Sequence, residues 1–292
     1  MTVSRHRTAR WLPRLLAAAL VALITPAAAP AQQPPPGGAP SAPAQPAPTQ
    51  PPPASAGPAD PQLIEDLVAA NRILAEQGVL DGWGHVSVRH NRDKNRYLLA
   101  RARAPELVSA EDIIEFDLDS NPVDAKGRAL YAERFIHGEI YRARPDVIAV
   151  VHTHAPALIP FGISKVPLQP VYHRSAFISG GIPVYEIRQA GGMTDMLIRN
   201  QALGKALAAT LGDRPASLMR GHGAAVVGPS LPRVVSRSIF LALNATLQAQ
   251  AMALGGPLTY LDPEEARLIE EREGFGLARA WEAWKQKAMS KR

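Results

Sequence analysis

His152-Thr153-His154 sets two imidazoles two residues apart, directly after the β-branched run Val147-Ile148-Ala149-Val150-Val151. In a strand, residues i and i+2 project to the same face, so both rings can reach one ion. By itself the pair fits two structural histidines as readily as two ligands. His222 lies between Gly221 and Gly223, where missing side chains let a ring approach a shared centre and let the backbone take unusual angles. An isolated Gly-His-Gly is also an ordinary surface turn. Three neutral imidazoles together suit Zn²⁺, Mn²⁺, Fe²⁺ or Co²⁺ and leave coordination positions open, the layout of a catalytic ion. Glu133 opens a helix four residues before His137. Taken alone it reads as a dipole-favoured surface acid with an i,i+4 partner; beside an ion it would bind the metal or move a proton.

The elements that must position these groups are legible from periodicity. Leu63, Ile64, Leu67, Val68, Ile73 and Leu74 recur at helical spacing up to Gly78. After Asp81-Gly82 the period becomes two, which predicts strands over His85–His90, Tyr97–Ala102 and Ile113–Leu118. Ser109-Ala110-Glu111-Asp112 reads as a capped turn before the third strand. A helix over Glu133–Arg142 leads to a buried strand over Val147–Val151, and another helix is expected from Ala155. A strand at Pro183–Ile187, a helix over Thr194–Leu211, a strand pair over Leu218–Val227 and a long helix over Leu231–Leu254 follow. The charged tail from Pro263 is helical, with Trp281 and Trp284 as apolar handles. Strands and helices mixed without a regular βαβ repeat predict a central sheet flanked by helices in one domain, residues 62–292.

The remaining residues read as targeting and tether. Arg5, Arg7, Arg10 and Arg14 precede an uncharged apolar stretch, Leu15–Ile24, and the small-residue motif Ala29-Pro30-Ala31, the form of a secretory signal peptide over 1–31. Ten apolar residues fall short of a membrane span, so no stable anchor is expected after cleavage, and the location is periplasmic or secreted. Residues 32–61 hold 12 prolines and one charge, and read as a disordered Pro/Ala-rich linker. Removing the four N-terminal arginines leaves 32 − 4 = 28 basic against 26 acidic residues. A remainder that near neutrality, without a basic run, excludes a nucleic-acid partner. The absence of cysteine excludes disulfides, thiolate metal sites and a cysteine nucleophile.

From about Leu63 to Leu254 the order of segments resembles the class II aldolase/adducin family. The resemblance is carried by Gly84-His85-Val86-Ser87, by the stretch Glu111–Asp119, by Glu133-Arg134-Phe135-Ile136-His137 leading to Arg144-Pro145-Asp146, by Val150-Val151-His152-Thr153-His154, and by Gly221-His222-Gly223. It implies an α/β/α sandwich around a mainly antiparallel sheet, and a fourfold homotetramer with active sites between subunits. By position it makes His152, His154 and His222 the ligands of one divalent transition metal, and Glu133 the acid/base that also approaches the ion.

The sugar-phosphate members of this family typically have Gly-Asn-x-Ser in the first loop, a Thr/Ser-Gly pair in the next and Ser-Ser before the catalytic Glu. Here His85 replaces the Asn, the second region reads Arg101-Ala102-Arg103-Ala104-Pro105, and Tyr131-Ala132 precedes Glu133. The phosphate cradle is largely missing. Gly84-His85-Val86-Ser87-Val88-Arg89 with Arg220-Gly221-His222-Gly223 looks more like the decarboxylase branch, whose substrates are hydroxylated aromatic or pyridine carboxylates. The resulting expectation is a metal-dependent lyase acting through a stabilised enolate or phenolate, with Glu133 and His85 as proton-moving groups. Arg101 and Arg103, two apart on an expected strand, together with Ser87 and Arg220, would bind a small carboxylate substrate. An aldolase or epimerase for an unphosphorylated hydroxy-carbonyl compound, and a non-catalytic adducin-like module, are the alternatives.

Overall fold

Alternating side chains along short, fully buried strands force two layers of packing, one on each face of a sheet. The computed structural model describes residues 51–272, 274 and 276–290; the expected signal peptide and the linker up to residue 50 lie outside the described residues. The strands are β1 (His85–Arg89), β2 (Arg96–Ala100), β3 (Ile113–Asp117), β4 (Ala149–Thr153), β5 (Val184–Tyr185), β6 (Ala216–Met219) and β7 (Gly223–Gly228). They form one sheet in the order β3-β2-β1-β4-β7-β6-β5, antiparallel throughout except between β5 and β6. The helices are α1 (Pro61–Glu76), α2 (Phe135–Ala143), α3 (Ile159–Ile163), α4 (Ile187–Gly191), α5 (Gln201–Leu211), α6 (Leu231–Ala253), α7 (Pro263–Glu270) and α8 (Leu277–Ser290).

On one face Val86, Val88, Leu98, Val151 and Val226 share a core with Leu67, Ile73 and Leu74 of α1 and Val234, Val235 and Leu241 of α6. Trp281 and Trp284 of α8 pack against this same core. On the other face Tyr97, Leu99, Phe116, Val150 and Val227 share a core with Ile136, Ile140 and Tyr141 of α2 and Leu203, Leu207 and Leu211 of α5. Each fully buried aliphatic side chain contributes about 1.5–3 kcal/mol of transfer free energy. The architecture is the α/β/α sandwich expected from the sequence.

Several boundaries differ, each for a local reason. The helix expected from Thr194 begins only at Gln201, because the Asn200 side chain accepts the Leu203 N–H at 3.0 Å and caps it there. The helix expected from Glu133 begins at Phe135, after a 3-10 turn over Ala132–Arg134 in which Glu133 sits at φ −93°, ψ 19°. That is the bridge region, where many active-site residues are found. The helix after Ala155 is only a 3-10 turn and the five residues of α3. The end of the supposed linker is fastened to the domain. Ser55 and the Ala56 N–H donate to the Glu115 carboxylate at 2.6 and 2.8 Å, and the Arg96 guanidinium donates to the Ala54 carbonyl at 3.0 Å. Asp60 caps α1 by accepting the Gln62 N–H at 2.9 Å.

The glycines flanking His222 do what their absence of side chain permits. Gly221 has φ +62°, and a Cβ on Gly223 would stand 1.9 Å from the Thr153 carbonyl oxygen. Gly223→Ala must therefore push β7 away from the end of β4, beside His152 and His154. The variant should lose about 1–3 kcal/mol of stability or more, seen as a lowered Tm; an unchanged Tm would show that the strands can part without cost.

Candidate metal centre

Register places the donors. In the antiparallel β1–β4 pair His85 stands opposite His152, and in the β4–β7 pair Thr153 stands opposite Ala224, two residues after His222. His152, like Val150, faces the α2/α5 layer, where the turn carrying Glu133 enters. The His154 Nε2 lies 3.0 Å from the His152 Nε2 and 3.1 Å from the His222 Nε2. One Glu133 oxygen, Oε2, lies 3.3 Å from the His152 Nε2 and 3.4 Å from the His222 Nε2. The other, Oε1, accepts the Ile198 N–H at 2.9 Å. The donor atoms of Glu133, His152, His154 and His222 all lie within 4.8 Å of one another.

The outward nitrogens determine what the inward ones carry. His152 Nδ1 faces the Ala224 carbonyl at 3.2 Å, His222 Nδ1 faces the Met196 carbonyl at 3.0 Å, and His154 Nδ1 faces the Asp81 carboxylate at 3.0 and 3.1 Å. Carbonyls and carboxylates only accept, so each Nδ1 carries the proton and each Nε2 presents a lone pair. Three lone pairs and a carboxylate oxygen converging on one point repel unless a cation sits among them. This donor set therefore fits a divalent transition metal of the zinc type.

Burial alone would raise the Glu133 carboxyl, but the adjacent His152 and His222 outweigh it and hold it far below the usual carboxylate range. Burial opposes protonation of His222; Glu133 overrides that and raises its value above 6.5. A proton on His222 thus competes with a metal for Nε2. As pH falls through that raised value the proton wins more often, so metal affinity should fall on the acid side, with proton release on metal uptake. Chelator competition over a pH series checks this; flat affinity between about pH 6 and 8 would contradict it.

Asp81, which the sequence marked only as the point where the period changes, is a partner of this centre. Its carboxylate accepts the Trp83 and Gly84 N–H groups at 3.0 and 2.9 Å as well as His154 Nδ1–H. With a metal on His154 it would be the carboxylate of a carboxylate–histidine–metal arrangement, which orients the ring and raises its basicity. Asp81→Asn should weaken metal binding about 10–100-fold with the fold intact, measured by chelator competition; unchanged affinity would make Asp81 a turn residue only. Backbone carbonyls of Ala224 and Met196 do the same work for the other two rings and have no signature in sequence.

The remaining predicted residues are distributed differently. His85 is buried beside the centre, its ring 5.2 Å from that of His152 and 4.4 Å from that of Tyr131. Burial, with His137 and His152 nearby, pushes its value well below the ordinary one. Ser87 does not line the site: it is fully buried, 2.6 Å from His137 Nδ1 and 2.8 Å from the Tyr141 hydroxyl. His137 is not the surface partner of Glu133 but a fully buried ring, pushed down to about 3 by burial. Arg101 and Arg103 are not on a strand facing an open cavity. β2 ends at Ala100, and both turn onto the buried Asp112, Arg101 Nε at 2.6 Å and Arg103 Nη1 at 3.1 Å. The Tyr131 hydroxyl donates to the Arg103 carbonyl, linking this pair to the ring that covers His85. Arg220 is paired with Glu186 at 2.7 Å.

Fold and site together define a class II aldolase-type protein. Residues 65–249 match the family model described as the class II aldolase and adducin N-terminal domain, and the chain belongs to that family. It is similar to the decarboxylase tropJ of Talaromyces stipitatus, 34% identical over 76% of this chain and 92% of that protein. It is also similar to the 3,4-dihydroxyphthalate decarboxylase of Arthrobacter keyseri, 32% identical over 74% of this chain and 90% of that protein. Among solved structures it resembles an aldolase II superfamily protein from Pseudomonas syringae, at 26% identity and a TM-score of 0.67 over 80% of this chain and 94% of that one.

Proposed function

We propose that this protein is a divalent-metal-dependent lyase that decarboxylates a hydroxylated aromatic or related carboxylate. The observation that carries the reading is the convergence of three histidine Nε2 atoms and a Glu133 oxygen on one point. Similarity to two decarboxylases over most of their length directs it toward CO₂ loss. His152, His154 and His222 would hold the metal, with Glu133 beside it. The metal supplies Lewis-acid stabilisation of charge developing on a substrate oxygen.

The rest is the work of side chains. Glu133 takes the proton of the substrate hydroxyl through Oε2, while the Ile198 N–H keeps Oε1 in place. The bond from the ring to the carboxylate breaks, its electron pair remains on the ring carbon, and Glu133 returns the proton to that carbon as CO₂ departs. The product oxygen regains a proton from solvent on release. Arg101 and Arg103 share one counter-ion, Asp112, so the group keeps one net positive charge to attract the substrate carboxylate. Tyr131 and His85 exclude water from the inner wall.

Protein loaded in turn with Zn²⁺, Mn²⁺, Fe²⁺ and Co²⁺ is to be offered ¹³C-carboxyl-labelled dihydroxybenzene mono- and dicarboxylates. The expected result is labelled CO₂ and hydroxyarene in equal amounts. Carbonyl fragments from an unphosphorylated hydroxy-carbonyl compound, with no CO₂ from any carboxylate, would replace this reading by the aldolase one. We further propose export to the periplasm or beyond, with assembly as a homotetramer. The basic, then apolar, then small-residue order of the N-terminus supports the first, and family membership the second. The mass of the mature chain after cell fractionation and light scattering test them.

A further inference from the structure

His137, Ser87 and Tyr141 are three polar side chains sealed inside the α2 face of the sheet, and the reaction just described uses none of them. They form a continuous line ending at the metal centre: Tyr141 OH to Ser87 Oγ at 2.8 Å, Ser87 Oγ to His137 Nδ1 at 2.6 Å, and His137 Nε2 to His85 Nδ1 at 2.6 Å. A neutral imidazole has one N–H to place, and a hydroxyl one O–H, so a closed line of this kind has only two possible directions.

The far end selects between them. The Tyr141 proton has two acceptors in view, Ser87 Oγ at 2.8 Å and the Ile148 carbonyl at 3.4 Å. The Ile148 carbonyl already accepts the Arg89 N–H at 2.7 Å. A phenol hydroxyl spends its proton on the short contact, because O–H···O bonds lie near 2.7–2.8 Å and weaken beyond about 3.0 Å. Ser87 must then donate to His137 Nδ1. His137 carries its proton on Nε2 and donates it to His85 Nδ1, and the His85 proton is left on Nε2. The opposite direction would leave the buried Tyr141 hydroxyl with only the long contact, at the cost of an unsatisfied buried donor.

We propose that His137 and Ser87 are positioning residues which, through this one-directional line from Tyr141, lock His85 as the Nε2–H tautomer, so that it presents a fixed hydrogen-bond donor to an anionic oxygen of the substrate. The kinetic part of this inference rests on the decarboxylase reading; the tautomer part does not. His85 stands opposite His152 in the sheet with Tyr131 against its ring, so its remaining nitrogen is the one free to serve the centre. A donor aimed there before substrate arrives costs no reorganisation during reaction. Ser87, two residues along β1 from His85, thus acts on the substrate only through His137, which is why a direct contact is not needed.

The test is ¹⁵N magic-angle-spinning NMR of the full-length, zinc-loaded protein with labelled histidine, the His85 and His137 signals being assigned from His85→Gln and His137→Gln. Both rings should show Nε2–H and an unprotonated Nδ1 in wild type. In Ser87→Ala the donor to His137 Nδ1 is gone, so a second tautomer should appear at both rings, and kcat should fall about tenfold with KM nearly unchanged. Ser87→Thr keeps the hydroxyl and should restore both. A wild-type His85 protonated on Nδ1 overturns the proposal. An unchanged kcat in Ser87→Ala despite altered tautomers overturns the role in turnover. Tautomers as expected with no CO₂ from any carboxylate leave the line standing and remove the decarboxylase reading instead.

Discussion

His222→Ala should lose most of its metal. Wild type is expected to hold about one divalent transition metal per chain, and the variant far less after dialysis, with affinity down at least about 100-fold, since even outer-shell partners of such centres are worth 10–100-fold. The reason is geometric. His222 is the last residue of a three-residue turn between β6 and β7, with its N–H on the Met219 carbonyl at 3.0 Å and its Nδ1 on the Met196 carbonyl at 3.0 Å. The ring is therefore aimed before any metal arrives, and its removal leaves two imidazoles and a carboxylate, one donor short of a closed face. The turn itself is held by backbone bonds that alanine retains, so the fold should persist. Elemental analysis and chelator competition measure the loss; equal metal in both proteins would take His222 out of the coordination set.

Glu133→Gln should lower turnover about 10²-fold or more. The substitution keeps the size of the side chain, and an amide oxygen can still accept the Ile198 N–H. It removes the ionised oxygen that faces His152 and His222, and with it the group that takes and returns the proton. Because that oxygen also approaches the metal position, rates must be compared at saturating metal. The drop should appear in kcat, with near-UV circular dichroism and Tm close to wild type. Turnover within a few-fold of wild type would assign the proton to another group, with His85, beside His152, next in line.

What could be read before folding was what is local. His152 and His154 share a face because strand side chains alternate, and that holds whatever the strand packs against. Gly221-His222-Gly223 announced a turn of special geometry, since φ +62° at one side favours glycine and the carbonyl within contact of a missing Cβ at the other requires it. A central sheet flanked by helices followed from strands and helices mixed without a regular βαβ repeat, and the α/β/α sandwich from the resemblance to the class II aldolase/adducin family.

Tertiary structure decided the partners. Arg101 and Arg103 looked like free guanidiniums because their counter-ion, Asp112, lies across the sheet edge in another segment. His137 looked like a surface residue because its neighbours at helical spacing are visible in sequence, whereas the β1 residues against which α2 packs are about 50 positions away. The carbonyls of Ala224 and Met196, which set two of the three ligand tautomers, are identical to every other carbonyl in the chain. Residue type and short spacing therefore determined which groups could bind a metal. Strand register and helix packing, which depend on contacts between distant segments, decided where their lone pairs point and which side chains hold them there.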